Sequence, residues 1–167
     1  MQLALYTFGQ FIEPSEHTQN DGFHNLNDAV LRSFEEAPGF VARSGYASDP
    51  GPESWGPEIY PRFWQDNGDG WAPVTLSLWQ DLNSAKTATY SGIHIDALKQ
   101  GRKWFQKGNW PPYVLWWIPR AAQPVWAEGA AKLEALWDHG PTQDAFTFKQ
   151  AFDPHSQNTG DKNAAIT

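Results

Sequence analysis

The stretch PYVLWWI, residues 112–118, predicts a β-strand that is apolar on both of its faces. Successive side chains of a strand point to opposite sides of the sheet. Both sides carry aromatic and aliphatic groups: Tyr113, Leu115 and Trp117 on one, and Val114, Trp116 and Ile118 on the other. Strands that are covered on both sides have this pattern. We therefore expect a sheet with a cover on each face.

On either side of this strand, the chain alternates between segments whose hydrophobic residues have strand spacing and segments in which they have helical spacing. Strand patterns occupy 2–8, 40–47 and 73–79, and helical spacing occupies 25–37, 82–105 and 125–138. The order β-α-β-β-α-β predicts a ferredoxin-like α+β domain with an antiparallel sheet. Right-handed crossovers would place its helices on one face. A short edge strand at 145–152 completes the prediction.

The second face of this sheet needs a cover, and nothing left in the chain is large enough to supply it. A second copy of the same sheet would bury it. We therefore predict a homodimer in which two sheets face each other, as in a dimeric α+β barrel.

The domain is expected to span residues 1–152. Within it, residues 48–72 are dense in Pro and Gly and contain Trp55, Trp64 and Trp71. Connections of this length tend to be functional or disordered, and the aromatic residues favour an ordered flap. The polar residues 153–167 are predicted to form a disordered tail.

Composition excludes several classes of function. The net charge of -7 argues against nucleic acid or an anionic membrane as the partner. No apolar run approaches the ~20 residues of a membrane span, and the start lacks an export signal. With no cysteine there is no disulfide and no thiol nucleophile, and cytoplasm is the expected location.

A histidine lies inside the apolar stripe of the predicted helix YSGIHIDALKQGRKWF, residues 90–105. Projected at about 100° per residue, His94 lies one turn after Tyr90, and Arg102 falls at the edge of the stripe. Three interpretations stay open. His94 is a core residue bonded to a backbone carbonyl or to Tyr90, or a general acid or base facing a pocket, or an axial ligand of haem iron.

Aromatic residues are expected to line such a pocket, since the chain contains ten Trp, ten Phe and five Tyr. The candidate substrate-binding residues are Trp79, Trp104, Trp116, Trp117, Trp64 and His24. We find no spacing of His, Asp or Glu that predicts a metal site.

The chain resembles the dimeric α+β barrel proteins, and is similar to their antibiotic-biosynthesis monooxygenase group. The carrying residues are Pro38-Gly39-Phe40, Ser77-Leu78-Trp79 and the helix with His94. More closely, it resembles a bacterial family described only as a domain of unknown function. That pattern matches Ser77-Leu78-Trp79, His94, Leu98, Arg102, Trp104-Phe105, Leu115-Trp116-Trp117 and 140–148, over residues 2–150.

This resemblance implies a small-molecule enzyme, because the superfamily includes cofactor-free oxygenases, cyclases and isomerases as well as haem enzymes. We predict acid/base chemistry on an apolar, aromatic or polyketide-like substrate, without a cofactor. His94 would move a proton, Tyr90 would orient it, and Arg102 would stabilise negative charge. The alternatives are a haem-dependent enzyme and a non-catalytic binding dimer.

Overall fold

A computed structural model describes residues 1–155. Within them lie four strands and four α-helices: β1 Gln2–Phe8, α1 Asp21–Glu35, β2 Phe40–Arg43, β3 Val74–Trp79, α2 Leu82–Thr89, α3 Gly92–Gln100, β4 Tyr113–Ile118 and α4 Trp126–His139. Short 3-10 helices span Thr18–Asn20 and Gly101–Lys103. The strands form one antiparallel sheet in the order β2-β3-β1-β4. The mixed α+β class with an antiparallel sheet is confirmed.

One face of the sheet, here called the α1 face, carries Leu3 and Leu5 of the central strand β1. Phe34 of α1 and Ala85 of α2 pack in the same cluster as these leucines, together with Trp79. Helix α3 lies against α1 and α2. The α1 face is therefore covered by the helices that the crossovers bring there.

The opposite face, here called the α4 face, is covered by the chain itself. It carries Ala4, Tyr6 and Trp116, against which α4 packs Trp126 and Leu133. The crossover helices share the α1 face as expected, but the prediction of helices on one face alone is wrong because α4 lies on the other. The reasoning that nothing left in the chain is large enough to cover the second face is also wrong. Helix α4 supplies an apolar side wide enough for a third layer. A barrel of two facing sheets would have to displace this helix.

The insert, residues 48–72, forms the rest of the cover on the α4 face. Trp55 is buried in the same cluster, and the Tyr6 hydroxyl donates to the Ile59 carbonyl at 3.0 Å. Exposed ion pairs join Arg62 of the insert to Glu134 and Asp138 of α4. The insert is thus tied to the body of the protein by core packing and hydrogen bonds.

The C-terminal segment follows the edge of the sheet. Leu115 of β4 and Phe146 exchange two backbone hydrogen bonds, at 2.8 and 2.9 Å, so the edge strand predicted at 145–152 is reduced to a single bridge. Of the predicted tail, residues 153–155 are described, and the Asp153 carbonyl accepts a bond from Gln143. The rest of that prediction lies outside the described residues. No helix in the described part of the chain has the length and hydropathy to cross a membrane.

Candidate functional site

The segment that contains His94 is two helices and not one. Helix α2 ends at Thr89, and α3 begins at Gly92, after an extended Ser91 and with a φ of 55° at the glycine. A positive φ suits glycine and interrupts a helix. The projection that placed Tyr90 one turn before His94 on a continuous helix is therefore wrong.

His94 bridges this break. Its Nδ1 lies 2.6 Å from the carbonyl oxygen of Thr89, the last residue of α2. A carbonyl only accepts hydrogen bonds, so Nδ1 carries the hydrogen and donates it. The bond satisfies one of the carbonyls that every helix end leaves without an intrahelical partner. A bond from His94 to a backbone carbonyl, expected in the first of the three interpretations, is therefore present.

The other ring nitrogen of His94 stays available. The imidazole is half-buried, and its centroid lies 4.7 Å from that of Phe34 on α1. Burial lowers the pKa of His94 below its ordinary value of 6.5, although the bond to the Thr89 carbonyl acts in the opposite direction. A neutral imidazole with hydrogen on Nδ1 presents a lone pair on Nε2. His94 is therefore oriented to accept a proton at neutral pH.

Tyr90 and Arg102 do not join His94 as predicted. Tyr90 is exposed, and its ring meets that of Phe148 with 5.8 Å between centroids. Arg102 is exposed on the 3-10 helix Gly101–Lys103 that follows α3.

A row of three hydroxyl groups crosses the α1 face. Register places Thr7 of β1 directly between Thr75 of β3 and Tyr113 of β4. The Oγ1 atoms of Thr7 and Thr75 are 2.6 Å apart. All three residues are half-buried, although β1 and β3 are the two central strands. We call Thr7, Thr75 and Tyr113 the hydroxyl row.

The Tyr113 phenol is held in place and stays protonated. Its oxygen accepts the backbone N–H of Phe148 at 3.2 Å. Burial raises the pKa of Tyr113 to about 12; the Phe148 bond opposes this shift, and the neighbouring Tyr90 hydroxyl adds to it. The phenol therefore keeps its own hydrogen near neutral pH, and its hydroxyl has side-chain hydrogen bonds with Tyr90 and Thr147.

Two aromatic rings border the hydroxyl row. Phe105 lies over Gly9, two residues after Thr7 along the chain, where an added Cβ would be 2.6 Å from the ring. Only glycine allows the ring to approach the backbone so closely. At the Tyr113 end of the row, Phe148 lies 5.2 Å from Tyr113 between centroids. Phe105 itself stacks on Phe11 at 5.3 Å and 8°.

The predicted substrate-binding residues divide between the two faces. Trp79 and Trp117 pack on the α1 face, and the buried Trp104 contacts Phe23 of α1. Trp116 and Trp64 pack on the α4 face, away from His94.

Trp116 is turned to the α4 face by its strand position, and its indole N–H donates to Glu128 of α4 at 2.9 Å. Trp64 belongs to the insert, so it follows the insert to that side. His24 is exposed, donates from Nε2 to the Ser15 carbonyl at 2.8 Å, and borders Phe11 and Trp71.

Two surface depressions lie away from His94. One, of about 580 Å³, includes Trp117, Arg120 and Phe152, and the other, of about 440 Å³, borders β2. Among residues 1–155, no group of three or more His, Cys, Asp or Glu is placed to hold a metal ion. The candidate functional groups of the α1 face are His94 and the hydroxyl row.

A family model described as "Domain of unknown function (DUF3291)" matches residues 2–162. The chain belongs to the DUF3291 family. The predicted membership of a family of unknown function is thus confirmed, and the DUF3291 description assigns no activity. No curated protein and no solved structure matches the chain.

Sequence reasoning missed the hydroxyl row. The signal was present, since Thr7 follows Leu3 and Leu5 in strand phase, and Thr75 and Ser77 follow the same phase in β3. What the sequence did not contain was the register that aligns Thr7 with Thr75 and Tyr113.

Proposed function

We propose that this protein is a small-molecule enzyme in which the neutral imidazole of His94 acts as a general base. One observation carries the proposal: Nδ1 is fixed on the Thr89 carbonyl at 2.6 Å, which leaves Nε2 as the proton acceptor. The same kind of bond orients catalytic and metal-binding histidines in other proteins. Burial supports the role, because the lowered pKa keeps the imidazole unprotonated at neutral pH.

The proposed reaction begins with proton abstraction. Nε2 takes a proton from an acidic C–H or O–H of the substrate, and the electron pair stays on the substrate as an enolate or phenolate. Return of that proton to a different atom completes an isomerisation without any other reactant. Oxygenation and cyclisation of such substrates share the first step.

Nitrobenzisoxazole provides a direct test, because a base opens this planar aromatic probe by removing one C–H proton as its N–O bond breaks. We expect wild type to accelerate the opening and His94→Gln to lose at least ~10-fold of that rate. The rate should rise with an apparent pKa below the ordinary 6.5 of a histidine.

The matched control is His139→Gln, at an exposed histidine that ends α4. It should keep the wild-type rate. No acceleration by wild type, or equal rates in wild type and His94→Gln, would refute the role of His94.

We also propose the ferredoxin-like architecture and a relationship to the dimeric α+β barrel superfamily. The strand order β2-β3-β1-β4 with antiparallel neighbours supports the architecture. The homodimer stays a prediction, and its partner would have to bind somewhere other than the covered α4 face. Sedimentation at micromolar concentration tests it.

Haem is the alternative that His94 chemistry leaves open, because an imidazole held at Nδ1 also suits an axial ligand. The cation on α3 does not favour haem as a partner for its propionate groups, because Lys99 is exposed and its Nζ lies 3.7 Å from Oδ1 of Asp96. A Soret band in the purified protein that disappears in His94→Ala would establish haem and replace the cofactor-free proposal.

A further inference from the structure

The hydroxyl row lies close to one end of the strands, where the cover of the α1 face is incomplete. On the same face and strand, Leu3 and Leu5 are buried, at 0% and 5% exposure. Thr7, next to last in β1, is half-buried, as are its partners at the start of β3 and β4. Solvent therefore reaches the α1 face at this row, although it does not reach Leu3 and Leu5.

The row has hydrogen-bonding capacity to spare. Thr7 and Thr75 share one hydrogen between their oxygens, so the second hydroxyl hydrogen of the pair is free to donate. The Tyr113 oxygen accepts from the Phe148 N–H, and its hydroxyl also has side-chain hydrogen bonds with Tyr90 and Thr147. The spare capacity of the row is therefore one hydroxyl hydrogen and several lone pairs on the Thr7–Thr75 pair.

The row is also electrically neutral. Apart from burial, the groups that shift the Tyr113 pKa are a tyrosine, a threonine and a backbone amide, and none of them carries a full charge. A ligand carboxylate or phosphate would be desolvated here without a cation to compensate it. Uncharged hydroxyl and carbonyl groups of a ligand suit the row, because they can form hydrogen bonds with it without burying a charge.

We propose that the hydroxyl row binds the hydroxyl or carbonyl edge of an uncharged, planar aromatic molecule, whose ring lies between Phe105 and Phe148. Flat apolar walls with a few convergent polar groups are typical of small-molecule sites. This inference deepens the proposed function by naming the substrate class, and it rests on that proposal for the chemistry at His94.

Three probes of equal ring size test the inference: naphthol, naphthalene and naphthoate, titrated into the whole protein by calorimetry. We expect naphthol to bind more tightly than naphthalene, and naphthoate to bind most weakly. Thr75→Val keeps the shape of the side chain and removes its hydroxyl. It should weaken naphthol roughly 3- to 10-fold, as expected for one lost hydrogen bond, and leave naphthalene unchanged.

Thr87→Val is the matched control, because Thr87 is exposed on α2. It should leave the affinity for naphthol at the wild-type value. Tyr113→Phe is a second variant that removes a hydroxyl from the row, and circular dichroism checks that each variant is folded.

Three results would overturn the inference: no binding of naphthol, tighter binding of naphthoate than of naphthol, or unchanged naphthol affinity in both row variants. The readout is affinity, so it is separate from the nitrobenzisoxazole rate. If the row variants weaken naphthol binding while His94→Gln opens nitrobenzisoxazole at the wild-type rate, the general-base proposal alone fails.

Discussion

Gly129 lies in α4 where the helix crosses β1, and its replacement by alanine tests the packing that closes the α4 face. A Cβ at this position would be 2.5 Å from Cδ2 and 2.8 Å from Cγ of Tyr6. The Tyr6 ring is fully buried, its centroid lies 6.3 Å from that of Trp126, and its hydroxyl bonds to Ile59. The ring therefore has little room to move away.

We expect this Gly→Ala substitution to destabilise the protein, whereas the same substitution in a solvent-exposed helix is stabilising. There, alanine stabilises by about 1 kcal/mol relative to glycine. Here, overpacking costs about 1–3 kcal/mol, and displacement of the Tyr6 hydroxyl from the Ile59 carbonyl costs about 1 kcal/mol more. The free energy of unfolding of Gly129→Ala should fall by about 1–3 kcal/mol, at about 2–4 °C in Tm per kcal/mol.

Urea unfolding followed by tryptophan fluorescence and circular dichroism measures this difference. Gly101→Ala is the matched control, because its backbone is helical, with a φ of -54°, and an added Cβ would lie 3.6 Å from Phe105, an ordinary contact. That variant should be as stable as wild type or slightly more so. If Gly129→Ala also matches or exceeds wild type, α4 does not lie against Tyr6 as described.

Three further predictions follow from named contacts. Burial lowers the pKa of His94, so as the pH falls the imidazole is protonated in the unfolded chain before it is protonated in the folded one. The free energy of unfolding should therefore fall as the pH decreases from about 6.5, and it should fall less in His94→Gln. A parallel pH dependence of the two proteins would contradict this. Trp116→Phe removes the N–H donated to Glu128 and should cost about 1–3 kcal/mol in urea unfolding; an unchanged midpoint would argue against the bond. Arg62→Ala should speed amide hydrogen exchange in the insert, because it removes the ion pair with Asp138. The hydrogen bond to Arg62 lowers the pKa of Asp138, so the difference in exchange rate between wild type and variant should shrink once acid protonates this carboxylate. Equal exchange rates at neutral pH would refute this link.

The α+β class and the approximate positions of most strands and helices could be predicted from the sequence, because they depend on local period. The double-sided apolar pattern of residues 112–118 correctly required a cover on each face. Which segment forms the second cover depends on distant packing. Helix α4 was recognised as a helix with an apolar side, but its period does not reveal that Leu133 packs on the sheet.

The site was harder to predict, because it depends on where a helix breaks. Ser91-Gly92 is a break signal that the apolar stripe on both sides concealed. His94 was found because an imidazole among apolar residues is unusual. Its hydrogen-bond partner, the Thr89 carbonyl, became evident only from the geometry of that break.

The cover on the α4 face also orders events during synthesis. The ribosome makes β1 and β3 long before it makes α4, so a nascent chain that ends before residue 126 has no Trp126 or Leu133 to shield Tyr6. Such a chain presents an apolar sheet surface to other molecules, which is the condition that recruits chaperones and seeds aggregation. The cover of the α4 face can therefore be completed only after α4, the last helix in the described part of the chain, has been translated.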